Sequence, residues 1–187
     1  ARDMAKISKA ALENETFRYV ACKPNYYIAP TNKDKHGKEL WNHHKMVKRT
    51  MFNYDGVEGG KTGYTTKAGG TLVTFAKRGH QELIVVDLCA HGYELYEDTI
   101  KMLNYGFNNY KTIAPFKTMN TVLKDDTYGF LKTGNELSPY KIPLKHLNDV
   151  TVMLEKNQSA SKLTYKCKDN KYIISYDGKQ IGSVKLH

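Results

Sequence analysis

The stretch Asp55-Gly56-Val57-Glu58-Gly59-Gly60-Lys61-Thr62-Gly63-Tyr64-Thr65-Thr66-Lys67-Ala68-Gly69-Gly70 sets a cation, a hydroxyl and a bare backbone in succession. Together they suit a terminal carboxylate held beside a reacting carbonyl. Lys61 supplies charge, Thr62 a directed hydrogen bond, and Gly63 a backbone against which a ligand can lie. A Lys-Thr-Gly triplet alone is a weak signal. It recurs at Lys132-Thr133-Gly134 without the glycine-rich lead or the Lys-Ala-Gly sequel, and a turn is expected there.

Outward from this stretch, Thr71 to Lys77 and Glu82 to Cys89 are apolar, β-branched runs joined by Arg78-Gly79-His80-Gln81. They predict a hairpin and, with a strand at Lys61, three successive antiparallel strands. Ile100, Leu103 and Phe107 are spaced for one helical face, so a helix over 96–107 is expected to pack on that sheet. Upstream, Met4, Ile7, Ala11 and Leu12 share a face and predict an amphipathic helix over 1–14, starting without a capping residue. Phe17 to Ala29 mixes β-formers with Pro24, and Tyr26-Tyr27-Ile28 before Pro30 reads as a short edge strand. Residues 32–51 are polar and basic around Trp41 and predict surface loop and short helix. From about Lys111 the texture changes to short β runs, with Asp177-Gly178 as a tight hairpin turn, so a boundary is expected near Tyr110.

Composition narrows the classes. No apolar run approaches the ~18 residues of a membrane span and no signal-peptide layout opens the chain, so a soluble chain is expected. Cys22, Cys89 and Cys167 are odd in number and far apart, which excludes a full disulfide framework and points to buried free thiols. The histidines, His43-His44 included, show no metal-ligand spacing and are expected on the surface, and neither metal nor cofactor is expected. The 14 tyrosines fall mostly in strand runs, where packing is their ordinary role. The net charge of +10 favours polyanions without choosing among nucleic acid, membrane surface and cell-wall polymer.

Several separated motifs carry a more specific resemblance. Ala1-Arg2-Asp3-Met4-Ala5, Pro30-Thr31-Asn32-Lys33, Leu40-Trp41-Asn42, Gly59-Gly60-Lys61-Thr62-Gly63-Tyr64-Thr65, Lys67-Ala68-Gly69, Glu97-Asp98-Thr99 and Leu103-Asn104-Tyr105-Gly106-Phe107 occur in that order. In order and spacing they resemble the serine D-alanyl-D-alanine carboxypeptidases, the low-molecular-mass penicillin-binding proteins. The likeness covers residues 1–110; residues 111–187 resemble that family's C-terminal β domain more loosely. It implies an α+β fold: part of a penicillin-binding/β-lactamase-like domain, an antiparallel sheet with packed helices, followed by a small all-β domain. It also implies acyl transfer, in which a serine attacks the penultimate D-Ala carbonyl of a peptidoglycan stem peptide, and binding of β-lactams. Lys61 would then tune a hydroxyl of a second motif, Thr62 would bind the substrate carboxylate beside Gly63, and the Tyr64 N–H would be one oxyanion-hole donor. Lys33 would add a second cation.

The chain departs from this family in two ways. Relatives usually have an aspartate and an aliphatic residue where Glu58 and Gly60 stand, a difference expected to loosen the strand entry. Of the Ser-x-x-Lys, Ser-x-Asn and Lys-Thr-Gly set, only the third is in place. Ser138-Pro139-Tyr140-Lys141 and Ser159-Ala160-Ser161-Lys162 fit the first but fall in the β-rich tail, after Lys61. The expectation is therefore a C-terminal portion of an exported enzyme at the outer face of a bacterial cytoplasmic membrane. It would be inactive alone and completed by an N-terminal half of the same protein. The alternative is a non-catalytic wall-binding or scaffold homologue using its charge on anionic cell-wall polymers; nucleic acid is not expected as a partner.

Overall fold

The computed structural model describes residues 1–47, 51–117, 121–123, 128–133, 136–137, 142–143, 150–169 and 171–185. They form two compact units, Ala1–Asn108 and Asn109–His187.

The first unit begins with helices α1 (Arg2–Leu12) and α2 (Glu15–Ala21). A small antiparallel pair follows, β1 (Asn25–Ile28) and β2 (Lys38–Trp41), then a 3-10 turn over Lys45–Val47. The central sheet has the order β3 (Val57–Thr65), β4 (Gly69–Arg78), β5 (Gln81–Ala90), all antiparallel, and α3 (Glu94–Asn109) closes the unit. This is the α+β arrangement of antiparallel sheet and packed helices.

The central strand β4 is buried from Leu72 to Ala76 because both of its faces are covered. Leu72 and Ala76 pack with Leu95, Tyr96, Leu103 and Phe107 of α3, burial worth roughly 2–3 kcal/mol for a side chain such as Leu72. On the other face α1 lies against β4 and β5, and the Phe17 ring of α2 tilts onto Phe75 at 6.5 Å.

Three expectations need correction here. The residue of α1 that is buried is Ser8, while Met4 and Ile7 stay exposed: the helix reaches the sheet through its small side chains. Residues 15–21 are helical despite their β-formers, because the Asn14 side chain accepts the Phe17 N–H at 2.9 Å and caps the turn. Cys89 is exposed and Cys22 half-buried. Lys132 and Thr133 end a strand and pair with Leu137 and Glu136 of the strand that follows, while Gly134 lies outside the described residues, as do Ser138 to Lys141.

The second unit is built from short strands: β6 (Tyr110–Ile113), β7 (Thr121–Leu123), β8 (Tyr128–Thr133), β9 (Glu136–Leu137), β10 (Ile142–Pro143), β11 (Val152–Glu155), β12 (Leu163–Lys168), β13 (Lys171–Tyr176) and β14 (Lys179–Lys185). Its core gathers Phe116, Val152, Leu154, Leu163, Tyr172 and Ile174. Asp177 and Gly178 both take positive φ, 50° and 75°, as a two-residue hairpin turn demands.

Candidate active-site strand

β3 has β4 on one side and no strand among the described residues on the other. Every second N–H and C=O along it therefore points outward, unpaired by the sheet. Lys61, Gly63 and Tyr64 are exposed and Thr62 is half-buried, whereas Gly59 and Gly60 just before them are buried. The strand thus passes from a clamped segment to a free one within two residues.

The clamp explains the paired glycines. A Cβ at Gly60 would stand 2.0 Å from the Val73 carbonyl oxygen and 2.7 Å from the His44 ring; one at Gly59 would meet the backbone of Ala21 and Cys22 at 2.8 Å. β3 is pressed by the end of α2 on one face and by an imidazole on the other. The strand entry is tight, where the sequence led one to expect looseness.

His44, expected on the surface, is fully buried. Its Nε2 lies 2.9 Å from Thr74 Oγ1, and its ring meets Tyr96 edge-on. Burial lowers its pKa from 6.5 to about 4, so the imidazole is neutral at ordinary pH. Asn42 fixes its approach: the side chain accepts the His44 N–H at 2.9 Å and donates to the Ala21 and Lys23 carbonyls at 3.2 and 2.9 Å. The signal in the sequence was the Gly59-Gly60 pair itself, since two residues without side chains beside a sheet core need something else to fill the space.

Glu58 is the second departure with a structural reason. Arg18 of α2 donates to Glu58 at 3.0 Å and to Glu82 of β5 at 3.2 Å, and Lys77 of β4 reaches Glu82 at 2.8 Å. One guanidinium ties α2, β3 and β5, and Lys77 adds β4 through Glu82. The Arg18 pKa is raised above its ordinary value: desolvation pulls it down, and the bonds and charges of Glu58 and Glu82 outweigh that pull. Glu82 lies below its ordinary value, chiefly through Lys77. Arg18 and Glu58 help to line a cleft of about 520 Å3 with Leu12, Phe75 and Ile84, but Lys61 to Tyr64 do not line it.

The Lys61 ammonium folds back on the Thr62 carbonyl. A Cβ at Gly63 would meet Thr71 Oγ1 at 2.6 Å, so the strand pairs closely with β4 there. Tyr64 is 76% exposed. Lys33 lies between β1 and β2, in a loop held by the Thr31 hydroxyl, which accepts the N–H groups of Lys33 and Asp34 at 3.3 and 3.1 Å. No hydrogen bond or ion pair among the described residues joins it to Lys61–Tyr64. Ser159, in the tail, caps a single 3-10 turn and bonds Ser161 Oγ at 2.8 Å.

Comparison with known proteins bears on the same strand. Residues 1–92 match the family model described as D-alanyl-D-alanine carboxypeptidase. The chain is 28% identical to D-alanyl-D-alanine carboxypeptidase DacF of Bacillus subtilis, over 100% of this chain and 45% of that protein. It is 31% identical to DacC of Escherichia coli, over 63% of this chain and 27% of that one. The chain thus spans less than half the length of these curated relatives. Among solved structures, a Streptomyces DD-transpeptidase superposes with a TM-score of 0.52 at 30% identity, over 57% of this chain and 42% of its own. Penicillin-binding protein 5 of Haemophilus influenzae superposes with a TM-score of 0.62 over 100% of this chain and 54% of its own; at 23% identity that is a likeness of fold alone. Residues 1–92, which include the strand that carries Lys61-Thr62-Gly63, thus match the D-alanyl-D-alanine carboxypeptidase family in sequence and resemble a DD-transpeptidase in fold.

Proposed function

We propose that this chain is the substrate-strand part of a serine-type D-Ala-D-Ala carboxypeptidase, which removes the terminal D-Ala from peptidoglycan stem peptides and is acylated by β-lactams. The observation that carries the reading is the exposed, unpaired edge at Lys61–Tyr64, rising from a clamped Gly59-Gly60 segment. An extended peptide can lie along such an edge as an added strand, its backbone meeting the outward groups of β3. In this role Lys61 exchanges its bond to the Thr62 carbonyl for a hydroxyl of the catalytic group. Thr62 donates to the terminal carboxylate beside Gly63, and the Tyr64 N–H faces the carbonyl oxygen that becomes an oxyanion. Lys33 adds positive charge toward the same carboxylate.

The chemistry is two acyl transfers. A serine Oγ bonds to the penultimate D-Ala carbonyl carbon, the C–N bond to the terminal D-Ala breaks, and the serine proton leaves on the departing amine; water then cleaves the ester. With a β-lactam the broken C–N bond lies within a ring, so the amine stays tethered and the ester persists. In this reading the nucleophile is supplied from outside these 187 residues, which the capping role of Ser159 in one short turn supports. Peptidoglycan as substrate places the work at the outer face of the bacterial cytoplasmic membrane.

Intact mass after incubation with benzylpenicillin tests this, on the 187-residue chain and on the full product of its gene. One covalent adduct on the longer protein alone is expected, and Lys61→Ala in it should slow adduct formation by about 100-fold or more. Labelling of the short chain would return the nucleophile to Ser138 or Ser159. Labelling of neither would leave a non-catalytic wall-binding protein.

A further inference from the structure

The sheet β12-β13-β14 of the second unit buries one face and opens the other. Leu163, Tyr165, Tyr172, Ile174, Tyr176 and Val184 turn inward to its core. On the outer face the register sets Lys168 opposite Lys171, and Lys171 opposite Lys185. Three lysines thus stand side by side across three strands, about 5 Å apart from strand to strand. Lys166, two residues before Lys168 on β12, shares their face. All four are exposed, and none has an ion-pair partner among the described residues. The carboxylate nearest in sequence is Asp169, in the turn joining β12 to β13.

Like charges directly opposite one another on a sheet destabilise it. Lysines on edge strands are an ordinary guard against unwanted pairing, but Lys171 lies on β13, the central strand of the three. Edge protection can account for Lys166, Lys168 and Lys185 on β12 and β14 but not for Lys171 between them, where a third like charge costs stability, as groups kept for binding do.

We propose that this face binds a linear phosphodiester polymer without bases, of the polyol-phosphate kind found in cell walls. Phosphates repeating along a chain match ammonium groups repeating across strands. A lipid surface fits less well, because the half-buried Ile173 is the one large apolar side chain on this face among the described residues. Nucleic acid fits less well because the tyrosines of the sheet point into the core, leaving no ring on which a base can stack. The row itself does not depend on the carboxypeptidase reading; only the source of the polymer does.

The test is binding of the 187-residue chain to a poly(glycerol phosphate) chain, a single-stranded oligonucleotide of equal charge, and vesicles of phosphatidylcholine with phosphatidylglycerol. K168Q/K171Q/K185Q is compared with K6Q/K35Q/K38Q, which removes the same charge from exposed positions of the first unit. The sheet variant should lose about 30- to 100-fold in affinity for poly(glycerol phosphate) near 0.1 M salt, with a salt slope shallower by about 2, and the control less than about 3-fold. The sheet variant should also melt no lower than the parent, since it relieves repulsion. Equal losses in the two variants would reduce the effect to net charge, and tighter binding of vesicles or oligonucleotide by the parent would name the wrong polymer; either result overturns the proposal. Adduct formation with benzylpenicillin is read separately and fails or succeeds without regard to this row.

Discussion

The two three-stranded antiparallel sheets of this molecule share a topology and differ in how many faces they bury. In β3-β4-β5 the central strand is buried continuously from Leu72 to Ala76. In β12-β13-β14 the central strand alternates, with Tyr172 and Ile174 inward and Lys171 and Ile173 outward. A sheet covered on both faces can hold its edge strand rigidly while that edge stays free, as β3 requires. One covered on a single face has its other face to offer.

Substitutions on the second face of each central strand would break the comparison most directly. Phe75→Ala should cost about 3–5 kcal/mol of unfolding free energy, because its ring is buried between β4 and the helices, whereas Ile173→Ala should cost about 1 kcal/mol or less. Urea denaturation of both variants measures this, and comparable losses would mean that the two sheets are covered alike.

The clamp beneath β3 sharpens it next, through pH. The folded His44 takes up its proton only near pH 4, against an ordinary value of 6.5. Between those values the unfolded chain binds a proton that the folded chain refuses, so stability is full above about pH 6.5 and falls as pH drops toward 4. The change should be on the order of 3 kcal/mol and should shrink in His44→Asn, as read from urea midpoints at about pH 7.5 and 4.5. An equal acid loss in the variant would assign it elsewhere. Glu82, held low by Lys77, contributes its own loss mainly below 4.5.

The smallest effect is expected at the tie between helix and sheet. Arg18→Ala removes the bonds to Glu58 and Glu82, but these side chains are a third or more exposed, so the cost should be about 1 kcal/mol or less and should fade with added salt. A loss that ignored salt would point to packing of the arginine stem instead.

How much of this was legible in the sequence follows from the same physics. The apolar runs of β4 and β5 and the helical period of Leu103 and Phe107 could be read because a core buried on both sides leaves few polar residues to interrupt it. Asp177-Gly178 could be read because few residues accept positive φ. The helix over Glu15–Ala21 could not, since Thr16, Phe17, Tyr19 and Val20 are β-formers by propensity and the Asn14 cap outweighs them. His44 could not, since a polar neighbourhood in sequence says nothing of a glycine arriving from another strand. At the candidate site, the resemblance named Lys61, Thr62, Gly63 and Tyr64, while the residues that clamp their strand, Asn42 and His44, emerged only from the three-dimensional contacts.

The contact between Gly60 and His44 also limits what can stand at either position. A single added carbon at position 60 strikes a buried ring that has nowhere to swing and a carbonyl of the neighbouring strand. A smaller residue at position 44 opens the space on the ring side and leaves the Val73 carbonyl where it is. A side chain at position 60 thus meets two obstacles, of which only the imidazole can be removed by a substitution.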